Sequence, residues 1–184
     1  MTRLQKTVRY FSVRDITLIA VLAALGIAVK SVLTPLIQIA SAPLFIPGGA
    51  LAGGLYMMWL VVAADVTGKY GAATLTGLVQ ATLVVLTGLG GSHGVFSFVS
   101  YTLPGLAIDL WLFLSGRRVS SLPSAFISCI LANICGTASV NIIFFRLPAI
   151  PLLLTLAAAA FSGGAGGVLA WHLLKALRGH GVVK

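Results

Sequence analysis

The feature that most constrains this chain is a series of long apolar stretches that carry almost no charge. Of its 184 residues, 59% are hydrophobic and only 8% are charged, whereas a typical soluble domain is about 25% charged. Three acidic and twelve basic side chains cannot cover the surface of a water-soluble protein of this size. The sequence therefore predicts an integral membrane protein, and it excludes soluble enzymes, nucleic-acid-binding modules and secreted disulfide-rich scaffolds.

Each apolar stretch is long enough for a membrane-spanning helix, which needs roughly 20 residues, and turn residues separate the stretches. Pro35 ends the first, a glycine-rich turn separates the second from the third, and Pro148 opens the last. The predicted helices lie at about 15–34, 48–67, 72–88, 95–115, 122–145 and 148–176. The predicted fold is an all-α compact bundle of six transmembrane helices over 15–176, between a basic segment at 1–14 and a basic tail at 177–184.

The basic residues fall mostly on one side of this predicted topology. Ten of the twelve precede the first helix, follow the sixth, or lie in the turns after the second and fourth. Only Lys30 and Arg146 lie toward the other side. Because cytoplasmic loops carry an excess of lysine and arginine, we predict that both termini are cytoplasmic in a multi-pass protein of a prokaryotic cell (inner) membrane. The net charge of +9 is then explained by the orientation of the chain in the membrane, and no nucleic-acid partner is expected.

The ionisable residues do not form a recognisable catalytic or metal-binding cluster. Asp109 lies about 24 Å along the helix from His93, too far for a hydrolytic triad with Ser92. The histidines are scattered, and the spacing of Cys129 and Cys135 matches no metal or redox motif. The glycine-rich turn after the third helix lacks the lysine of a phosphate-binding loop. We therefore predict no enzymatic activity, no metal site and no cofactor.

Polar and aromatic side chains on four helices predict a small-molecule pocket in the outer half of the membrane. Such residues are costly in a bilayer, so each is a candidate for function, although hydrogen bonding between helices also explains individual residues. Aromatic and amide groups at comparable depth are typical of a ligand pocket. The candidate substrate-binding residues are Tyr56, Trp59, Gln80, His93, Ser97, Tyr101, Asn133 and Asn141.

The charge pattern bears on which ligand such a pocket would accept. All three acids lie in the predicted inner half, which argues against a proton-coupled pump with a midplane carboxylate. The outward-facing opening of the predicted pocket would be neutral to positive, because Lys30, Arg146 and His93 lie there, and this favours a neutral or anionic ligand. The two long basic side chains could instead extend to the membrane interface. A cationic ligand would depend on cation–π contacts with the aromatic candidates. The acids are Asp15, Asp65 and Asp109.

Small residues recur every four positions along the first helix, at Ala20, Ala24 and Ala28. A ridge of this kind permits close contact between helices in a membrane. The contact could be made within the bundle or with another membrane subunit, and the pattern alone leaves both open.

With this ridge, six spans and a basic N-terminus that runs into the apolar stretch 16–30, the sequence resembles the substrate-binding (S) component of an energy-coupling factor (ECF) vitamin transporter. The resemblance implies a binding protein that captures a vitamin and associates with a transmembrane coupling subunit and a pair of ATPase subunits. It also implies that Ala20, Ala24 and Ala28 dock the coupling subunit. ATP hydrolysis would then belong to the partners.

Part of the chain further resembles the YkoE-like branch of that family, once labelled a cobalt permease component and associated with thiamine or its hydroxymethylpyrimidine precursor. The stretch runs from Pro-Gly-Gly at 47–49 through Gly-Ala-Ala at 71–73 to Gly88. YkoE-like relatives carry glutamates along the third helix, where this chain has Gly77 and Val84. Thiamine is therefore one candidate, beside a riboflavin-, cobalamin- or pantothenate-like vitamin.

Two other classes of protein are weaker interpretations. A self-sufficient secondary transporter or channel would need internal repeats or a midplane coupling residue, and the sequence indicates neither. An accessory membrane subunit or a membrane enzyme is the other alternative, and an enzyme would need a catalytic cluster that the residue spacing does not supply.

Overall fold

The computed structural model describes residues 10–44, 46–88, 94–116, 119 and 121–180. Over these residues the chain is all-α, with six long helices and no strand. The helices are α1 (Val13–Ser41), α2 (Gly48–Thr67), α3 (Ala72–Thr87), α4 (Ser97–Ser115), α5 (Leu122–Val140) and α6 (Ala149–Gly179). A π-helical turn at Asn141–Phe145 continues α5, and a 3-10 turn at Gly94–Phe96 precedes α4.

The predicted all-α class and the six helices are confirmed, and the bounds of α2 agree with the prediction. The prediction that Pro35 ends the first helix was wrong, because Pro35 lies inside α1. Proline removes one backbone donor, but a membrane helix tolerates this where side chains and local adjustments satisfy the freed carbonyl group. Within the described residues, five of the helices, counted with the short turns next to them, are long and apolar enough to cross a membrane. The sixth, α3, has 16 residues, so its crossing stays a prediction.

Two ion pairs bring both described ends of the chain to the same end of the bundle. Lys69, in the turn after α2, pairs with Asp15 at the start of α1 at 2.7 Å. Arg178, in the last turn of α6, pairs with Asp65 near the end of α2. We call this the terminal end. The opposite end, where Gln38 accepts a hydrogen bond from the backbone N–H of Gly48, is called the far end.

The helices pack closely because glycines face neighbouring backbones. A Cβ atom at Gly54 of α2 would overlap the backbone of Ser162 in α6, and one at Gly163 would lie 2.8 Å from the Cα atom of Ile130 in α5. Ser162 also accepts a hydrogen bond from the N–H of Gly54 at 3.0 Å. In a membrane, helix association depends on such close packing, and α2 is thereby held at the centre of the bundle, against α1, α5 and α6.

Candidate functional site

A cavity of about 210 Å³ opens at the far end of the bundle between α1, α2, α4, α5 and α6. An engineered cavity of roughly 150 Å³ already accepts benzene, so this one has room for a ligand built on a single ring. Its lining residues are Lys30, Thr34, Gln38, Pro47, Gly49, Tyr56, Met57, Ser100, Tyr101, Gly136, Thr137, Val140, Asn141, Phe145, Leu147 and Thr155.

Lys30 lies on the wall of this cavity and contacts two tyrosines. Its ammonium group donates a hydrogen bond to the hydroxyl of Tyr101. The Nζ atom lies 4.3 Å from the centroid of the Tyr101 ring and 5.5 Å from that of the Tyr56 ring. Both distances are within the range of cation–π attraction. The side chain therefore turns into the bundle instead of extending to the membrane interface.

No acidic side chain balances the charge of Lys30. It is the only charged residue among the described residues that line the cavity. Asp109, on the helix that carries Tyr101, is about 12 Å further along that helix, and Asp15 is about 22 Å from Lys30 along α1. The carboxylates of Asp15 and Asp65 pair with bases at the terminal end, and that of Asp109 accepts from Thr74.

Two side chains fix the backbone around the cavity mouth. The hydroxyl of Tyr56 donates to the carbonyl of Gly49 at 2.9 Å, which ties the middle of α2 to its first turn. The Oδ1 atom of Asn141 accepts from the N–H of Leu147 at 3.0 Å, which closes the turn between α5 and α6. These contacts hold the loops at the far end in place around the opening.

Two threonine hydroxyls in the cavity lack a partner. Thr34 lies one turn beyond Lys30 on α1, and Thr155 lies on α6 and is fully buried. Within the described part of the chain, neither Oγ1 atom makes a hydrogen bond. Buried polar groups are nearly always satisfied, so these two hydroxyls are candidate hydrogen-bonding groups for a ligand.

The predicted site residues divide between the cavity and the helix packing. Tyr56, Tyr101 and Asn141 line the cavity together. Asn133 does not line it, because its amide donates to the carbonyls of Ala50 at 3.0 Å and Ala159 at 2.8 Å, which joins α2, α5 and α6.

The remaining predicted residues lie elsewhere. Gln80, on α3, packs against Gly26 of α1; Trp59 and Ser97 are likewise not among the lining residues. His93 lies outside the described residues. A pocket role for these side chains stays a prediction.

Sequence reasoning missed the polar stripe that α1 contributes to the cavity. Lys30, Thr34 and Gln38 recur every four residues and therefore share one face of the helix. Reading the polar positions of α1 for helical periodicity would have placed this stripe in the site. Thr155 has no comparable signal, because it is an isolated hydroxyl in an apolar stretch and only packing brings it to the cavity.

The ridge of α1 is exposed. Ala20, Ala24 and Ala28 all lie on the surface of the bundle, beside the exposed apolar side chains of Val21 and Leu25. Of the helices that could span a membrane, α1 is the least buried within the bundle. The small residues of the ridge are therefore not covered by any other part of the chain that the structure describes.

The cavity does not offer the donor groups of a metal site. Over the described residues, no group of three or more histidine, cysteine, aspartate or glutamate side chains could hold a metal ion. The lining residues include none of these four residue types, and their side chains offer hydroxyl, amide and ammonium groups and the thioether of Met57.

Comparison with known proteins places this architecture in a family. Residues 14–135 match the family model described as "ABC-type cobalt transport system, permease component". The chain belongs to this family. The match covers α1 to α4 and most of α5, so this permease-family region contains Lys30, Tyr56 and Tyr101.

The fold of this permease-family chain also has a solved counterpart. It is similar to a crystal structure of an S-component of an ECF transporter, with a TM-score of 0.78 and 19% sequence identity over 94% of this chain and 88% of that chain. At this identity the likeness shows the fold alone. No curated protein gives a significant sequence match. The family and the fold together support a component of a membrane transporter.

Proposed function

We propose that this chain is the membrane-embedded substrate-binding S component of an ECF-type importer and that it captures a vitamin or vitamin precursor in the far-end cavity. The observation that carries the proposal is the cavity itself, which is bordered by five helices and has unpartnered hydroxyls and a charged group on its wall. The likeness of the fold to an S-component supports it.

In this proposal the terminal end of the bundle faces the cytoplasm and the far end faces outward. The bases at the terminal end include Arg14, Lys69, Lys175 and Arg178, and an excess of bases favours the cytoplasmic side. The cavity would then open to the outside of a prokaryotic cell membrane, where a scarce nutrient is captured.

The exposed ridge of α1 is the proposed docking surface for the transmembrane coupling subunit. Small side chains at Ala20, Ala24 and Ala28 let a partner helix approach closely, and they are exposed on the surface formed by the described residues. A pair of ATPase subunits bound to the coupling subunit would supply ATP hydrolysis. In this assignment the chain binds substrate and is not an enzyme.

Two observations bear on the class of vitamin that the chain binds. The YkoE-like resemblance of the stretch 47–88 favours thiamine or hydroxymethylpyrimidine, and another water-soluble vitamin such as riboflavin, cobalamin or pantothenate is the alternative. The cavity of about 210 Å³ favours the smaller members of this set, because a macrocycle such as cobalamin exceeds a space that accommodates little more than one ring.

Co-expression tests the proposed function. The tagged chain is expressed with the coupling subunit and the ATPases of its host and is purified in mild detergent. We expect the subunits to co-purify and the complex to hydrolyse ATP and take up substrate in proteoliposomes, whereas the chain alone does neither. Uptake by the chain alone, without ATPases, would instead indicate a secondary transporter.

A further inference from the structure

The Lys30 ammonium is an unbalanced charge within the bundle. A half-buried charge without a counter-ion is costly in a membrane protein and marks a functional site by default. All three acidic side chains of the chain are engaged away from the cavity, by Lys69, Arg178 and Thr74. None of the acidic side chains therefore supplies a counter-charge for Lys30, and a bound ligand can supply one.

A cationic ligand does not fit this arrangement. The Lys30 ammonium already lies against Tyr56 and Tyr101, two aromatic residues of the cavity that could attract a cation. A second positive charge beside it would be repelled, and like charges brought together at a binding site cost several kcal/mol. The same repulsion applies to a divalent metal ion, for which the lining residues also lack carboxylate, imidazole and thiolate ligands.

The other polar groups of the cavity can donate to an anion. The hydroxyl of Tyr101 accepts from Lys30, so its own proton remains available. Thr34 and Thr155, on different helices, also line the cavity, and their hydroxyls have no hydrogen-bond partner among the described residues. An ammonium group with several hydroxyl donors is a typical environment for a carboxylate, whose oxygens only accept hydrogen bonds.

We infer that the ligand is a small organic anion whose carboxylate pairs with Lys30 and whose remainder, about the size of one ring, packs against Met57, Val140 and Phe145. This inference rests on the proposed substrate-binding function and specifies its substrate class. It separates this chain from a carrier of a thiamine-like cation and from a carrier of cobalt ions.

Matched pairs of probes test the charge requirement directly. The full-length chain is purified alone in detergent, and dissociation constants are measured by calorimetry for nicotinate and nicotinamide, pantothenate and panthenol, and biotin and biotinamide. Thiamine and Co²⁺ serve as cationic probes. We expect at least one acid to bind at least tenfold more tightly than its neutral counterpart and more tightly than either cation.

Three variants assign this preference to Lys30. Lys30→Met should weaken binding of the preferred acid by about 30-fold or more, since removing one partner of a buried charge pair costs at least that much, while binding of the neutral counterpart changes little. Lys30→Arg should retain the preference for the acid. The control Arg146→Met removes an exposed positive charge at the far end, outside the cavity lining, and should leave the affinity unchanged.

Several results would overturn the inference. These are tighter binding of thiamine or Co²⁺ than of any acid, a panel in which no acid binds, and an unchanged acid preference in Lys30→Met. Because the experiment uses the chain alone, failure to assemble with a coupling subunit would overturn the proposed function but not the charge requirement. A co-purifying complex that carries a cation would overturn only the charge requirement.

Discussion

The carboxylate of Asp109, on α4, accepts two hydrogen bonds from Thr74 in the first turn of α3. Its Oδ2 atom lies 2.8 Å from the backbone nitrogen and 2.6 Å from the hydroxyl oxygen of that residue. The first N–H groups of a helix have no partner within the helix, and the helix dipole favours a negative charge at this position. Gly71, the N-cap residue of α3, has no side chain that could accept a hydrogen bond from these N–H groups, so a residue of the neighbouring helix α4 supplies the cap.

We expect Asp109→Ala to lower the stability of the bundle by about 0.5–2 kcal/mol, the range measured for the loss of a helix cap. Thermal unfolding of the purified protein in detergent measures the effect. Asp109→Asn keeps an acceptor oxygen and should lose less stability than Asp109→Ala. An unchanged unfolding temperature in Asp109→Ala would show that the cap contributes nothing.

Gly54→Ala tests the close approach of α2 and α6. The added Cβ atom would overlap the backbone of Ser162, so the two helices would have to separate, and overpacking of this kind costs roughly 1–3 kcal/mol. We expect a lower yield of monodisperse protein and a lower unfolding temperature. The control is Gly179→Ala, at a position where a Cβ atom meets nothing within 4 Å and the substitution should be tolerated.

Asn133→Ala distinguishes a packing role from a ligand-binding role. The substitution removes the two hydrogen bonds from the Asn133 amide to the carbonyls of Ala50 and Ala159, and a typical hydrogen bond contributes about 0.5–1.5 kcal/mol to stability. We expect a clear loss of thermal stability with a smaller change in ligand affinity. Tyr101→Phe should do the opposite, because it keeps the ring and removes only the hydroxyl that contacts Lys30. Reversed effects in the two variants would place the site nearer to Asn133.

Ala24→Trp tests the proposed docking ridge. A bulky side chain in the middle of the exposed face of α1 would hold a partner helix away, and we expect at least a tenfold loss of recovered complex and of ATP-driven uptake. Ligand binding to the chain alone should persist, because Ala24 does not line the cavity. Ala157→Trp places the same bulk on the exposed face of α6 and should leave assembly intact. Equal complex recovery in both variants would contradict the docking proposal.

Much of the fold could be predicted because a bilayer restricts which secondary structures can cross it. A membrane helix must satisfy its backbone internally and must be apolar over about 20 residues, so hydropathy and turn residues located the six helices. The bounds of α2 came out as predicted, since Pro47 and Gly68 mark its two ends. Pro35 misled the prediction because a proline inside an apolar helix has the same local signal as a proline that ends one.

The candidate site could be predicted only in part. Aromatic and amide residues stand out in an apolar sequence, and this signal found Tyr56, Tyr101 and Asn141. The same signal also selected Asn133, because an amide that bonds two backbone carbonyls between helices and an amide that faces a ligand have the same sequence context. Which of the two it does depends on the rotation of α5 against α2 and α6, and local sequence does not encode that rotation.

The sequence by itself determined that this chain is a membrane protein with six helices, and it predicted bases gathered at one end of the bundle and no acid at the other. Hydropathy and charge are properties of each residue type, so both can be taken from the sequence without coordinates. Only the tertiary structure decided that Lys30 turns inward between Tyr56 and Tyr101 while the ridge at Ala24 turns outward. The direction in which a residue of α1 faces is fixed by the packing of this helix against α2 and α3, as at the contact of Gly26 with Gln80, and these two residues are distant in sequence.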